Sequence, residues 1–241
     1  MANERFTHED FQGAVFRDCD LRGAKITDSW LVDVDISGLI GNLRVNDVDV
    51  TDFVEAELDR RRPERVLVRE ARTADDYRTA WAAVERAWAT TVERARRLPE
   101  ASLQEQVDDE YSFVETLRHL VFATDAWASR TVLDEPMPYH RLGFTHAGFP
   151  REGAAALGVD LDAQPSFDEV LEVRASRQAA VRSIIDGLTD DGLRRECTRP
   201  PAPGYPEETR TVGHCLRVVM TEECEHLRYA TRDLAVLESR T

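Results

Sequence analysis

Lysine is nearly absent. Of 31 basic residues in the 241-residue chain, only Lys25 is lysine and the rest are arginine. With abundant Ala, Val and Asp, this bias suggests a GC-rich genome and is compatible with an actinobacterial host. Positive charge is also the minority sign. The 46 acidic residues leave a formal net charge of −15, which opposes non-specific nucleic-acid binding and adhesion to anionic membranes. No apolar run approaches the roughly 18 residues that a membrane span requires. The opening residues, MANERFTHEDF, hold no apolar signal core, so the expected location is cytoplasmic. Cysteine is sparse. Cys19, Cys197, Cys215 and Cys224 form no C-x-x-C pair, and their spacing suits neither a zinc knuckle nor a disulfide framework, so they read as reduced thiols. P-loop, dinucleotide fingerprint, serine-nucleophile elbow and H-E-x-x-H are all missing, which removes support for those reaction classes.

What is there begins with a repeat. Phe6, Phe11, Phe16, Leu21, Ile26, Leu31 and Ile36 are spaced by five, and Ala14, Cys19, Ala24, Ser29 and Val34 each sit two residues before one of them. Period five matches neither the 3.6 of a helix nor the 2 of a strand. It fits a coil with four sides of five residues, the large and small residues both pointing inward. Self-similarity at a fixed period is the signature of a solenoid. FRDCDLRGAKITDSWLVDVDIS resembles pentapeptide-repeat sequence over about residues 6–40. That resemblance implies a right-handed quadrilateral β-helix, here of under two coils, whose ends need capping. The phase breaks at Gly38 and Gly41, after which LRVNDVDVTDFV offers one or two strands. Residues 53–72 read as a linker in which Arg60, Arg61, Arg62 and Pro63 interrupt any helix. The basic run is free to face the acidic repeat or solvent.

From Thr73 the period becomes helical. Thr73, with Asp75 and Asp76 behind it, opens a helix that ends at Pro99. Ser112–Leu133 forms a second, carrying Phe113, Leu117, Leu120, Val121 and Trp127. Ser166, with Glu169 in the capping-box position, opens a third that runs to Leu188. Thr211–Asp233 forms the fourth. The expected architecture is mainly α: an up-down four-helix bundle over 73–241, preceded by a short β-solenoid over 1–52 and a linker over 53–72. Asp134–Pro165 is long enough to read as a lid or wall of a pocket, offering Tyr139, His140 and His146.

Polar residues on the helices are the candidates for chemistry. Glu222 and His226 are four apart and share one face of the last helix. Burying them unpaired is costly. A divalent metal is one explanation; a core hydrogen bond or ion pair is the other. Glu223, three residues before His226, competes with Glu222. His119 lies beside the apolar stripe of the second helix, with Glu115 one turn earlier as an available partner. His214 is about 18 Å from His226 by helical rise and cannot share its ligand. Cys215 and Cys224 read as core, and His140 and His146 as surface residues within reach of a substrate.

LRHLVFATDAW in the second helix and EECEHLRYATRDL in the fourth resemble the DinB-like proteins, a superfamily that includes bacillithiol transferases and mycothiol-dependent maleylpyruvate isomerase. The resemblance covers about residues 73–240. It implies a divalent metal, zinc or nickel, held by His119, Glu222 and His226. It further implies a low-molecular-weight thiol, of mycothiol type, that attacks a small electrophile or serves as cofactor in a thiol S-transferase or thiol-dependent isomerase. Glu222 departs from the more common histidine, but two imidazoles and a carboxylate remain a workable set. Two alternatives stay open. One is a non-catalytic binding protein in which the acidic repeat and the bundle form a partner or homodimer interface. The other is metal-dependent hydrolysis with Glu223 as base.

Overall fold

A turn recurs every five residues through the first part of the chain. The computed structural model describes residues 5–17 and 19–240, and the chain divides into two units between Thr51 and Asp52. In the first unit the backbone takes positive φ at His8, Gly13, Gly23, Asp28, Asp33 and Gly38, every described position of a five-residue series. Glycine adopts this conformation freely and Asp or His tolerates it, so the position two residues after each large apolar one is the turn position. The N–H groups of Ala14 and Ala24 donate to the carbonyls of Phe11 and Leu21 at 3.0 Å and close two of the turns.

The apolar ladder departs from expectation. Phe6 is 66% exposed, Phe11 49% and Ile26 66%, although successive rings touch at centroid distances of 5.6 Å (Phe6–Phe11) and 6.2 Å (Phe11–Phe16). So few repeats supply too few layers to cover one another. The strands anticipated after the phase break are β1 (Arg44–Val45) and β2 (Val48–Asp49), an antiparallel hairpin pairing Arg44 with Asp49. Asn46 and Asp47 form its two-residue turn with φ of 47° and 66°, the combination that tight hairpins demand.

The second unit is mainly helical, beginning in the stretch read as a linker. Helix α1 (Thr51–Arg61) and helix α2 (Pro63–Glu70) flank a break at Arg62. The proline that stops one helix starts the next, because the first helical position needs no N–H donor. Two arginines of the basic run are paired locally, Arg60 and Arg61 with Glu57, and beyond it Arg65 and Arg69 pair with Asp59.

Helix α3 (Ala74–Ala95) carries a complete capping box of Thr73 and Asp76. The short α4 (Glu100–Leu103) precedes α5 (Phe113–Thr124), where Ser112 and Glu115 form a second box. The sequence pattern extends α5 as one α-helix to Leu133. Instead it passes at Asp125 into a π-helix, Asp125–Val132. There the buried Asp125 carboxylate accepts from Arg177 at 2.8 and 3.2 Å and from the His140 backbone N–H at 2.9 Å. These partners lie far along the chain, so the helix's own periodicity gives no sign of the change. Helices α6 (Arg151–Ala156), α7 (Phe167–Asp186, with its Ser166–Glu169 box) and α8 (Asp190–Arg194) follow. Strands β3 (Glu196–Cys197) and β4 (Arg210–Thr211) then pair antiparallel and lead into α9 (Val212–Ser239).

Helices α3, α5, α7 and α9 contact one another around a single core. Trp81, Leu117, Ile185, Leu216, Met220 and Leu234 are essentially sealed there. Each such side chain contributes about 1.5–3 kcal/mol of transfer free energy. A second cluster of Phe122, Ala154, Leu157 and Val159 lies under the 134–165 loop and anchors it to α5. Gly213, in the first turn of α9, accepts a 2.8 Å hydrogen bond from the Tyr77 hydroxyl; a Cβ there would lie 3.2 Å from the Leu193 carbonyl.

Candidate metal centre

Helices α5 and α9 bring together the three candidate ligands that the sequence singled out. His119 Nε2 lies 3.5 Å from Glu222 Oε2, and His226 Nε2 lies 3.4 Å from the same oxygen. One donor atom from each residue falls within 4.8 Å of the others. Donors about 2.1 Å from one cation with tetrahedral angles between them lie about 3.4 Å apart, so the spacing suits a small divalent ion. The i,i+4 relation on α9 sets the Glu222–His226 distance, and packing of α5 on α9 supplies His119.

The surroundings orient the donors. His119 Nδ1 lies 3.0 Å from the Phe144 carbonyl. That oxygen can only accept, so Nδ1 carries the proton and Nε2 is left as the donor atom. The Tyr111 ring stacks on His226 at 6.3 Å with an interplanar angle of 7° and lies 5.6 Å from His119. Burial raises the Glu222 carboxyl pKa; where His119 and His226 are both protonated, their hydrogen bonds and charge outweigh it and the net displacement is downward. In that state the carboxylate is ionised.

Arg118 fixes the loop that carries Phe144. Its buried guanidinium donates to the carbonyls of Leu142, Ala163, Asp160 and Gly143, at 3.0, 2.8, 2.6 and 3.5 Å. The Phe144 N–H in turn donates to the Arg118 carbonyl at 3.1 Å. Adjacent residues of α5 thus divide the work: Arg118 pins the loop and His119 faces the candidate ion.

Glu223 is committed elsewhere. Arg174 of α7 holds it in a bidentate pair at 2.7 and 2.8 Å, with 3% and 1% of the two side chains exposed. Glu115 does not partner His119 either. It caps Ser112 and accepts from Gln106.

The triad opens into a cavity of about 300 Å³ walled by Tyr111, Phe122, Trp127, His146 and Tyr205, with Pro201 and Ala202 behind. Of the loop residues anticipated as pocket wall, His146 lines it. Tyr139 instead stacks on Phe122 and donates to the Pro201 carbonyl at 2.5 Å, and burial pushes its hydroxyl pKa up to about 12. His140 turns inward on its own loop, its Nδ1 accepting from the Leu142 N–H. Trp127, Tyr205 and Tyr111 were not anticipated at the site. Trp127 carried a signal, an aromatic in the same helix as His119, but its π-helical register hid the direction it faces. Tyr205 sits among prolines, where no periodicity reports orientation. Cys215 and Cys224 are buried as expected.

The model of the DinB superfamily matches residues 83–230, which include all three candidate ligands. The chain belongs to the DinB superfamily. A pentapeptide-repeat model matches residues 5–38 in eight copies, so this DinB-superfamily member carries a repeat segment ahead of its helical unit. No curated protein and no solved structure matches the chain. Among the described residues of this DinB-superfamily chain, no helix is long and apolar enough to cross a membrane.

Proposed function

We propose that this chain is a metal-dependent enzyme in which a low-molecular-weight thiol, of mycothiol type, acts as nucleophile or cofactor toward a small electrophile. The observation that carries this reading is the convergence of His119, Glu222 and His226 on the wall of a cavity. Three protein donors beside open space suit a catalytic rather than a structural site. When bound there, a divalent cation such as zinc or nickel supplies positive charge that lowers the pKa of a coordinating thiol.

The chain's own residues do the rest. His119, Glu222 and His226 hold the ion, and the Phe144 carbonyl fixes the His119 tautomer. Arg174 keeps Glu223 out of the set, which argues against Glu223 as a hydrolytic base. Tyr111 shields the imidazoles, and the aromatic walls limit water beside the reacting sulfur. The reading includes an up-down four-helix bundle formed by α3, α5, α7 and α9, a β-solenoid in the repeat segment, and a reducing cytoplasmic setting suited to four free thiols.

A second role is favoured by one observation, the exposed apolar ladder of the repeat. Contiguous exposed apolar surface marks interaction sites, and a second copy of the chain, giving a homodimer, is the partner proposed. Light scattering on the full chain and on residues 52–241 tests it: the full chain is dimeric and the shortened one monomeric. A full chain that stays monomeric at micromolar concentration contradicts it.

The enzymatic reading is tested by turnover. Metal-loaded protein is given mycothiol, bacillithiol, glutathione or cysteine with a panel of electrophiles. Turnover that stops on chelation supports the assignment. A fully loaded protein inert with every thiol removes the thiol from it.

A further inference from the structure

A second hollow adjoins the cavity at the triad. It measures about 540 Å³ and lies where the π-helix ends, between Arg130, Asp134 and the loop that joins β3 to β4. Tyr205 is a wall of both spaces. The same loop lends Pro201 and Ala202 to the first and Thr198, Arg199 and Glu207 to the second. Its position is fixed from several sides. The buried Arg130 guanidinium donates to the carbonyls of Pro200 and Pro136. The Tyr139 hydroxyl holds the Pro201 carbonyl at 2.5 Å, and the Tyr205 N–H closes a turn on the Ala202 carbonyl at 3.2 Å.

The two spaces differ in chemistry. Apart from the triad and His146, the first is walled by aromatic rings, Ala and Pro. The second carries two guanidiniums and two carboxylates, from Arg130, Arg199, Asp134 and Glu207, with Thr198 and Tyr205 beside them. Those four charges cancel, so an ion of either sign gains little there. Donors and acceptors stand side by side instead. Arg199 engages Asp134 through Nε at 2.6 Å, and its terminal nitrogens face no other acceptor among the described residues. Asp134 and Glu207 are both exposed and have lone pairs to offer. A hydroxyl group donates and accepts at once. It can therefore bridge a carboxylate and a neighbouring guanidinium, and hydrogen bonds to charged partners are the stronger kind. The Tyr205 ring adds an apolar face for the C–H side of a saturated ring. A hydrocarbon in the same place would strip water from charged groups and return no hydrogen bonds.

We propose that this hollow is a subsite for a neutral, hydroxyl-rich ring, a sugar or polyol, and that the ring is joined to the sulfur-bearing arm that passes Tyr205 to reach the triad. The link to sulfur rests on the proposed function. The ring's subsite contains none of the candidate metal ligands, so its occupancy is read with or without an ion.

The experiment uses the full chain and two kinds of probe. Mycothiol and N-acetylcysteine methylamide, which has the same arm without the rings, are titrated by calorimetry into zinc-loaded protein. N-acetylglucosaminyl-inositol, which has the rings without sulfur, is followed by saturation-transfer NMR on chelated protein. Mycothiol is expected to bind at least about tenfold more tightly than the methylamide, the equivalent of one hydrogen bond to a charged group. Arg199→Ala and Glu207→Ala shrink that advantage toward one and abolish the NMR signal, and circular dichroism confirms that each variant is folded. Equal affinity of the two thiols in the wild type overturns the proposal, as does an undiminished advantage in both folded variants or the absence of a ring signal at about 10 mM, where a Kd of order 1 mM would nearly fill the site. If zinc is not retained but the ring binds and both variants abolish its signal, the metal reading fails while the subsite stands. If zinc and both thiols bind alike, the metal reading stands while the subsite fails.

Discussion

Arg174 grips Glu223 through hydrogen bonds of 2.7 and 2.8 Å, and neither side chain reaches solvent. The preceding residue, Glu222, points instead to two imidazoles at the cavity wall. Consecutive positions on one helix lie about 100° apart around its axis, so neighbouring carboxylates serve different neighbours. One ties α9 to α7, and the other is available to an ion.

Glu223→Gln and Glu222→Gln should therefore separate stability from metal binding. Losing one member of a buried pair leaves the other charge uncompensated, at a cost of about 3–5 kcal/mol. Glu223→Gln falls in that range. Glu222→Gln alters the stability of the metal-free protein by under about 1 kcal/mol while reducing metal affinity. Chemical denaturation and metal titration of the two variants check both halves.

Arg118→Met removes the donor that four loop carbonyls share. The stability loss is about 3 kcal/mol, since buried acceptors lose charge-assisted hydrogen bonds. Hydrogen exchange should rise across residues 140–163, and metal affinity should fall because the Phe144 carbonyl no longer holds His119. A variant with unchanged exchange in that loop would show that the hydrophobic cluster around Phe122 fixes it alone.

The cysteines give a prediction that needs no ligand. Cys19 is exposed, while Cys197, Cys215 and Cys224 are buried. A thiol reagent should titrate one group in the native protein and four in denaturant. Burial, followed by the neighbouring Cys197, pushes the Cys215 thiol from its ordinary 9.0 up to about 12. A group whose pKa is raised on folding contributes stability that is complete below its unfolded value and lost as pH rises toward its folded one. Stability should therefore decline from about pH 9 upward, and Cys215→Ala should decline less over the same range. Denaturation midpoints measured between about pH 8 and pH 11 read this out.

Much of the helical unit was legible because its signals are local. Thr73 and Ser166 announce their helices through side chains three residues away, and both caps are present. Glu222 and His226 were paired by spacing alone. Choosing between Glu222 and Glu223 required Arg174, 49 residues away, which no pattern on α9 discloses. The π-helix was hidden for the same reason, since Arg177 and the His140 N–H lie on other segments. In the repeat, period five was read as a coil with four sides of five residues; the backbone takes positive φ at every fifth described residue from His8 to Gly38, whereas the burial of the apolar ladder did not follow, because burial depends on how many coils stack.

Metal content of the purified full chain is the most direct measurement. Protein supplied with zinc or nickel and then dialysed should retain about one equivalent by elemental analysis. His119→Ala and His226→Ala should retain little while keeping the wild-type circular dichroism spectrum. A wild type that holds neither ion, or a folded His226→Ala with undiminished metal, would contradict the account.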